Sequence, residues 1–462
     1  MQERYIATAD LGSSKIAISV AKVSGDDIQV IYYKETPSNG IRYSSVFNPG
    51  KATEALKKAV STAETELGLK FRQLVVGLPR CDISQETAQA NLERSNPDSC
   101  ITSEEVANLK SMAKDSYPLE NAATQEIYGA VAQSFNADDL FQQSEHDIVG
   151  ATASSLEGNF KVFVGSKRSA DNIDMMLNNL GIAAAKKVFL PLASAGAVLM
   201  DNEKDNGVAL IEMGAGVTSV TIYVGKILRY YNAIPFGGAS ITADIKTECA
   251  FKQALAENVK LAYGACMPDK LQSLREKTLQ ISDEETGGLE QLSVKYLSEI
   301  IDSRAREIIE AILFLIQESG YAEKLRSGIV LTGGGANLAN LTLLIKEMSG
   351  YNVRIGYPQT KKISLEGCGM ICETSAASSV GMLLSAKKER LLNCTDKMPE
   401  VPDNDMKDTV FEQFPETGNG DADAEKTPKR RGRGEPRETA YGKISWSKKV
   451  KEKLEGLFNE MN

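Results

Sequence analysis

The stretch "YIATADLGSSKIAISV", residues Tyr5–Val20, places a short polar turn between two apolar runs. The runs Tyr5–Ala9 and Ile16–Val20 are short, apolar and partly β-branched, and this pattern predicts two buried strands. A turn that joins two such strands directly predicts a β-hairpin near the start of the chain. The chemistry of that turn gives the first indication of function.

The turn of this hairpin is suited to bind a phosphate. Consecutive backbone N–H groups form an anion-binding concavity, and two hydroxyls and an ammonium lie beside them. The residues concerned are Gly12, Ser13, Ser14 and Lys15. Asp10 would repel a phosphate, but it can hold Mg²⁺ or a water molecule bound to Mg²⁺. Taken alone, the stretch also fits an ordinary hairpin with a polar turn, because short motifs often match by chance.

The composition of the 462-residue chain argues against several classes of function. A net charge of −9 gives no general reason to expect binding to nucleic acid. His146 is the only histidine, which argues against a zinc site and against a Ser/His or Cys/His mechanism. The seven scattered cysteines form no disulfide framework and suit a reducing cytoplasm. No signal-peptide pattern is present, and no apolar stretch approaches the ~18 residues of a transmembrane helix.

Residues 1 to about 395 alternate strand-like and helix-like segments, as in an α/β protein. Strands are predicted at Phe71–Pro79 and Phe160–Ser166, and an amphipathic helix that ends at a glycine is predicted at Lys51–Gly68. Residues 82–160, between the two predicted strands, are more polar and are expected to form an inserted module. Its stretch "TSEEVANLKSMAKDS" opens with a capping box, Thr102 or Ser103 with Glu105.

The composition changes near residue 395. Residues 395–440 are rich in Pro, Gly, Asp and Glu, and they predict a disordered linker because they cannot bury enough apolar surface. Residues 441–462 predict an amphipathic helix with one apolar stripe, formed by Trp446, Val450, Leu454, Leu457, Phe458 and Met461. Lysines lie outside the stripe at Lys448, Lys449, Lys451 and Lys453. Such a helix is typical of a membrane interface, and docking on the chain itself or on a partner protein is the alternative.

A second stretch repeats the plan of the first. "VALIEMGAGVTSVTIYVGKIL", residues 208–228, contains an apolar strand, the carboxylate Glu212, a small turn and a second apolar strand. The turn contains Gly214, Ala215, Gly216, Val217 and Thr218. Two such hairpins could hold a polyphosphate from both sides.

Three further segments follow in a fixed order. "IPFGGASIT", Ile234–Thr242, is expected to place a glycine pair, with Gly238, and a threonine before a helix. Glu257 and Lys260 are three residues apart on one predicted helix face, from which both could reach a ribose or a base. "GIVLTGGGANLANL" is a predicted strand that leads into Gly333, Gly334, Gly335 and Asn337. These glycines allow a backbone to approach a flat ring or a phosphate closely.

This order of motifs resembles the actin, sugar-kinase and heat-shock-chaperone ATPase superfamily. Within it, the chain is similar to the FtsA family of bacterial actin homologues of cell division. The features that support this choice are "GASITADI" at 238–245, "NVRIGYP" at 352–358, "SAASSVGMLLSA" at 375–386, the N-terminal insertion and the terminal helix. The second hairpin departs from the family pattern Asp-x-Gly-Gly-Gly-Thr-Thr, since it reads "EMGAGVT".

The resemblance implies an α/β, actin-like fold in which two lobes flank a nucleotide cleft. It implies a first lobe at 1–82, 161–200 and 361–394, an inserted FtsA-type subdomain at 83–160, a second lobe at 201–245 and 325–360, an inserted partner-binding subdomain at 246–324, a linker at 395–440 and a membrane helix at 441–462. The first lobe carries the first hairpin and a closing helix, and the second lobe carries the second hairpin and the adenosine motif.

The resemblance also implies a ligand set and a role. ATP and Mg²⁺ are the expected cofactors, with Asp10 and Glu212 orienting the metal and its water, and Asp10 the expected metal ligand. The expected ATP-binding residues are Gly12, Ser13, Ser14, Lys15, Gly214, Ala215, Gly216, Val217, Thr218, Gly238, Glu257, Lys260, Gly333, Gly334, Gly335 and Asn337. Slow or absent hydrolysis is expected, because Glu212 is one methylene longer than Asp and small misplacements are costly in rate.

The implied function is an adaptor that self-assembles and tethers the FtsZ ring to the cytoplasmic face of the cell membrane at the division site. Its expected partners are the C-terminal peptide of FtsZ, further copies of itself, anionic lipids and other division proteins, with no nucleic acid. The alternatives are an ATPase enzyme of the same superfamily, either chaperone-like or a small-molecule kinase, and a relative from pilus assembly.

Overall fold

The computed structural model describes residues 3–272, 276–282 and 289–397, which belong to one compact unit, Met1–Lys397. The linker expected beyond residue 397 and the helix expected at 441–462, with its whole stripe from Trp446 to Met461, lie outside the described residues.

Strands and helices alternate along the chain, as the sequence predicts. The strands are β1 (Arg4–Leu11), β2 (Lys15–Ser24), β3 (Asp27–Pro37), β4 (Ile41–Arg42), β5 (Ser45–Val46), β6 (Leu69–Phe71), β7 (Gln73–Gly77), β8 (Ser84–Glu93), β9 (Gln125–Ala137), β10 (Leu140–Gln143), β11 (Ser155–Ser166), β12 (Ala183–Val188), β13 (Val208–Met213), β14 (Thr218–Val224), β15 (Ile227–Ile234), β16 (Thr278–Ser282), β17 (Leu289–Ser293), β18 (Ile329–Thr332), β19 (Val353–Ile355), β20 (Ser364–Leu365) and β21 (Thr395–Lys397). The α-helices are α1 (Pro49–Leu67), α2 (Ser103–Ser116), α3 (Glu145–Ile148), α4 (Lys167–Asn178), α5 (Leu190–Val198), α6 (Asp201–Asn206), α7 (Gly238–Glu248), α8 (Gln253–Tyr263), α9 (Val294–Glu318), α10 (Leu341–Ser349) and α11 (Ala377–Lys387).

Two large sheets share the order of five strands, and the first has one additional edge strand, β20. The first runs β12-β7-β1-β2-β3-β20 and the second runs β15-β14-β13-β18-β19. In each sheet, three consecutive strands form an antiparallel meander, and two later strands extend the sheet in parallel beside the first strand of the meander. We call the first sheet with its helices the first lobe and the second sheet with its helices the second lobe.

This repeat makes β1 equivalent to β13 and β2 equivalent to β14. Both predicted hairpins are therefore confirmed, as the antiparallel pairs β1–β2 and β13–β14. Asp10 and Glu212 occupy equivalent positions, each one residue before the end of its strand, which is Leu11 in one lobe and Met213 in the other. The repeat thus places a carboxylate at the same end of both sheets.

The inserted module is a four-stranded antiparallel sheet with the order β10-β9-β11-β8, covered by α2. Its core contains Leu109, Phe135 and Phe160, and the two phenylalanine rings meet edge to face at 5.9 Å. The predicted capping box is confirmed, with Thr102 as the N-cap and Glu105 as its partner. Strand β11 pairs only within this sheet, so the sheet runs to Ser166, six residues beyond the expected boundary at 160.

Local sequence signals also set the ends of the predicted helix α1. The Asn48 side chain accepts a hydrogen bond from the Lys51 N–H at the start, and Gly68 ends the helix with a left-handed φ of 63°. The folded part of the chain extends three residues into the expected linker at 395–440. Its last strand, β21 (Thr395–Lys397), pairs with β6. Among the described residues, no helix combines the length and apolar character needed to cross a membrane.

Candidate functional site

The end of β13 is the point at which the separate motifs of the second lobe meet. The Gly238 N–H donates to the Gly214 carbonyl at 2.9 Å, and the Ala239 N–H donates to the Ala215 carbonyl at 2.8 Å. The N-terminus of α7 therefore caps the turn of the second hairpin. The expectation that Thr242 precedes this helix is wrong, because α7 begins at Gly238 and Thr242 lies within it.

The glycine segment after β18 lies against the same strand end. Gly333 has a φ of 88°, and a Cβ there would lie 2.5 Å from the Met213 carbonyl oxygen. A Cβ on Gly335 would lie 2.5 Å from Met213 Cγ. Both glycines allow a close approach between two segments of the protein. Gly334 differs from them, because it is exposed and a Cβ there would meet only Ser375, at 4.0 Å.

The two hairpins meet across the lobes. A Cβ added to Gly216 of the second hairpin would lie 2.7 Å from Oγ of Ser13 in the first. Within the first hairpin, the Gly12 N–H donates to the Lys15 carbonyl at 3.0 Å, and Ser13 Oγ accepts from the Ser44 N–H at 3.1 Å. The structure thus brings the two predicted phosphate turns together.

Lys15 forms an ion pair with Glu35, a residue that the motif search missed. The Tyr33 hydroxyl also donates to the Glu35 carboxylate, at 2.6 Å, and Ser375 Oγ lies 3.4 Å from it. Burial and the Glu35 carboxylate raise the pKa of Tyr33 above its usual value, so Tyr33 remains a hydrogen-bond donor. The ammonium expected to bind phosphate is therefore held by a carboxylate.

Arg80 is the second residue that the motif search missed. Its Nη1 lies 2.5 Å from Glu212 Oε2, and its Nη2 donates to Ser378 Oγ at 2.5 Å. Ser378 Oγ in turn donates to Glu212 Oε1 at 2.9 Å. Both oxygens of the Glu212 carboxylate are therefore bonded within the protein. This network joins the first lobe to the second lobe and to α11, which packs on the first sheet.

The charges at this point influence one another strongly. Burial raises the pKa of Asp10, the nearby Glu212 charge raises it further, and Arg80 and Lys15 act in the opposite direction. Burial opposes the charged form of Arg80, but the adjacent carboxylates of Glu212 and Asp10 raise its pKa above the usual value. Arg80 thus stays charged while buried.

Glu257 and Lys260 lie on one face of α8, as predicted, and form an ion pair at 2.8 Å. Lys260 Nζ also donates to the Gly238 carbonyl at 2.9 Å and to Thr242 Oγ1 at 2.8 Å. The Thr242 hydroxyl hydrogen-bonds to the Glu257 carboxylate. These contacts attach α8 to the start of α7, so both residues adjoin the glycine pair.

The remaining predicted residues differ in their availability. Thr218 is buried and its hydroxyl donates to the Phe236 carbonyl at 2.8 Å, and Val217 is also buried. Asn337 is exposed and its Oδ1 accepts from the Thr374 hydroxyl at 3.2 Å. The hydroxyl of Thr218 is therefore committed to the fold, and this hairpin offers a ligand mainly its backbone.

Tyr231 connects the inserted module to the same site. Its backbone N–H donates to Gln85 Oε1 in β8 at 3.1 Å, and its hydroxyl donates to the Arg80 carbonyl at 2.7 Å. The ring is buried and contacts Phe163 and Phe189 edge to face. Tyr231 thus links the module to Arg80, the residue that holds Glu212.

Mg²⁺ is the metal that the sequence predicts, and the donor set suits it only in part. Within the described residues, no group of three or more acidic, histidine or cysteine side chains could hold a metal ion. Asp10 has no hydrogen-bond partner there and is suited to bind a metal through water. Glu212 does not fit a metal site in this arrangement, because Arg80 and Ser378 bond both of its oxygens.

The sequence did contain a signal for Arg80. It follows β7, which is parallel to β1, and the carboxyl ends of parallel strands share one edge of a sheet, where ligands usually bind. A charged residue just after a buried parallel strand could therefore have been included. Glu35 and Ser378 carried no comparable signal, because their positions depend on contacts between distant segments.

Comparison with known proteins supports the fold and the family. The family model described as "Cell division protein FtsA" matches residues 209–381, which contain the second hairpin, α7, α8 and the glycine segment. The cell division protein FtsA of Borreliella burgdorferi is 29% identical over 401 residues, covering 86% of this chain and 94% of that protein. Other matched relatives carry the same description.

Two solved structures share the architecture. A PilM-PilN type IV pilus biogenesis complex matches with a TM-score of 0.58 and 14% identity, covering 83% of this chain and 98% of that chain. MreB5 of Spiroplasma citri bound to ADP matches with a TM-score of 0.51 and 14% identity, covering 84% and 98%. These likenesses concern the fold alone and confirm the predicted mixed α/β, actin-like architecture. The FtsA matches extend over most of its length, so the chain is similar to the FtsA family of cell division proteins.

Proposed function

We propose that this chain is an ATP-binding, self-assembling adaptor that tethers the FtsZ ring to the cytoplasmic face of the cell membrane. The observation that carries the proposal is the pair of equivalent hairpins, each with a carboxylate one residue before the strand end, which meet between two lobes of the same strand order. The similarity to FtsA cell division proteins supports the same role in cell division.

The proposed nucleotide site uses backbone groups more than side chains. Backbone N–H groups of the two turns would provide donors for phosphates, and α7, whose first N–H groups are bonded to the second turn, would contribute the positive end of its dipole. Lys15 would exchange Glu35 for a phosphate, and Gly334 offers an open backbone to the nucleoside near Glu257 and Lys260. Mg²⁺ that arrives with the nucleotide would be held by phosphate oxygens and, through water, by Asp10. The structural relative MreB5 of Spiroplasma citri is bound to ADP, which supports nucleotide binding by a chain of this fold.

A substitution at Gly334 tests nucleotide binding. The position has open space and an ordinary backbone conformation, so both Gly334→Ala and Gly334→Asp should fold. Gly334→Asp should abolish ATP binding in calorimetry, because it adds bulk and negative charge where the nucleoside would lie, whereas Gly334→Ala should retain most of the affinity. Unchanged affinity in Gly334→Asp, with wild-type circular dichroism, would exclude this site.

The tethering role rests on the family and on the sequence of residues 441–462, whose basic, apolar-striped pattern suits an anionic membrane surface. The test is flotation of fluorescent FtsZ with vesicles of anionic lipid. FtsZ should float only when this chain is present, and FtsZ without its C-terminal peptide should stay in solution. Flotation that does not need the peptide, or no flotation with intact FtsZ, would contradict the role. Filaments of the chain on the vesicles, seen by electron microscopy with ATP, would support self-assembly.

A further inference from the structure

Arg80 joins three parts of the fold at the centre of the proposed cleft. It lies between β7 of the first lobe and β8 of the inserted module, and it contacts Glu212 of the second lobe and Ser378 of α11. The side chains of Arg80 and Glu212 are only 12% and 11% exposed. Because buried charges are screened little by salt, their interaction with a group that binds beside them depends little on ionic strength.

The charged groups at this point are three carboxylates and two cations: Asp10, Glu35 and Glu212, with Lys15 and Arg80. Lys15 is paired with Glu35, so among the described residues Arg80 is the cation that balances Asp10 and Glu212. One or two carboxylates beside a nucleotide ordinarily hold Mg²⁺ together with the phosphates. In this chain a guanidinium already lies beside both carboxylates.

We propose that Arg80 takes the part of a divalent cation in this cleft, so that nucleotide binding by this chain depends only weakly on Mg²⁺. The inference rests on the proposed function and concerns the same site. A guanidinium is permanently charged and has five N–H donors in a planar fork. Glu212 and Ser378 each accept one of these, and further N–H groups remain for phosphate oxygens.

A purely structural role for Arg80 predicts a different behaviour. A guanidinium that only held the lobes together could be removed without any change in the Mg²⁺ requirement of the site. If Arg80 provides the balancing charge, its removal leaves two carboxylates beside the phosphates, and Mg²⁺ becomes necessary to offset their repulsion. The ratio of ATP affinity in Mg²⁺ to ATP affinity in EDTA therefore separates the two roles.

The experiment is calorimetry of ATP binding to the full chain in both buffers. The wild type should show a ratio within about threefold, and Arg80→Met should raise it above about tenfold. Arg80→Lys keeps the charge and should retain the wild-type ratio. Arg80→Met/Glu212→Gln removes the carboxylate left without a partner and should return the ratio toward the wild-type value.

A wild-type ratio of about tenfold or more would overturn the inference and leave the proposed function intact. Equal ratios in the wild type and Arg80→Met would also overturn it. Absence of ATP binding in both buffers would overturn the inference and the proposed function together. If Arg80→Met does not fold, the wild-type ratio still decides, together with a titration of Mg²⁺ into the nucleotide-free wild type, which should show no binding.

Discussion

Ser13 and Gly216 contact each other across the two lobes, so closely that a Cβ on Gly216 would lie 2.7 Å from Ser13 Oγ and 3.0 Å from Ser13 Cβ. A side chain at residue 216 would therefore force Ser13 or one of the hairpins to shift. Ser13 and Gly216 are about 200 residues apart in the sequence, so this contact exists only in the folded protein.

Gly216→Ala should destabilise the protein by about 1–3 kcal/mol, because the added methyl group has no space. Ser13→Gly should lose the hydrogen bond from the Ser44 N–H and cost about 1 kcal/mol. The double variant should lose about 1 kcal/mol less stability than the sum of the two single losses, because Gly at residue 13 removes the clash. Chemical denaturation of all four proteins measures this coupling, and strict additivity would contradict the contact.

ATP turnover by the purified chain should lie far below the typical enzyme value of ~10 s⁻¹. Glu212 has both carboxylate oxygens bonded, to Arg80 and Ser378, and is not available to orient a water molecule. Phosphate release with and without vesicles is the measurement. A rate near the typical value would instead favour the enzyme alternative within the superfamily.

The inserted module should depend on Arg94 for its stability. This side chain is 1% exposed, and it donates to the Ser99 and Ala153 carbonyls at 3.0 and 2.8 Å and to Glu105 at 2.9 Å. Arg94→Met removes these hydrogen bonds, including the buried one to the Ala153 carbonyl, and should cost at least about 2 kcal/mol. The matched control is Arg72→Met, which removes a surface pair with Asp396 and should change stability by less than about 1 kcal/mol. Similar losses in both variants, measured by urea unfolding, would rule out this role for Arg94.

Glu105 should make the stability of the module depend on pH. Hydrogen bonds from Arg94 and from the Thr102 N–H lower the pKa of Glu105 below its usual value of 4.5. A lowered pKa stabilises the fold above 4.5, and this contribution is lost as the pH falls through the folded-state pKa. The difference in unfolding midpoint between the wild type and Glu105→Gln should thus be largest near neutral pH and shrink in acid. A difference that stays constant with pH would show that the charge of Glu105 is not responsible.

The C-terminal segment should anchor the chain to anionic lipid. Trp446→Glu/Leu454→Glu interrupts the predicted apolar stripe, so this variant should no longer sediment with anionic vesicles, while its ATP affinity stays unchanged. The wild type should bind anionic vesicles better than neutral ones, and salt should weaken the binding because the lysines contribute roughly 1 kcal/mol each. If the double variant still sediments with vesicles, the stripe is not the anchor, and docking on the body or on a partner becomes the better account.

The sequence was sufficient for features that depend on neighbouring residues. The strands of both hairpins, the ends of α1 at Asn48 and Gly68, and the capping box of Thr102 and Glu105 follow from local patterns. Each is set by hydrogen bonds or apolar periodicity within a few residues, which one chain displays directly.

Features that depend on distant contacts could not be derived in this way. Three features depend on which segments the fold brings together. They are the ion pair of Lys15 with Glu35, the ion pair of Arg80 with Glu212, and the pairing of β11 with the sheet of the inserted module. Thr242 shows the same limit on a small scale, since its place inside α7 depends on where the turn of the second hairpin caps that helix.

Tyr231 has a mechanical consequence. Its backbone is hydrogen-bonded to Gln85 of the inserted module, and its hydroxyl is hydrogen-bonded to the backbone of Arg80. A force that pulls on the module therefore reaches the residue beside the cleft through a single rigid ring and two hydrogen bonds. Tension on the module and a ligand in the proposed cleft would therefore act on the same residue, the first at the Arg80 carbonyl and the second at its guanidinium.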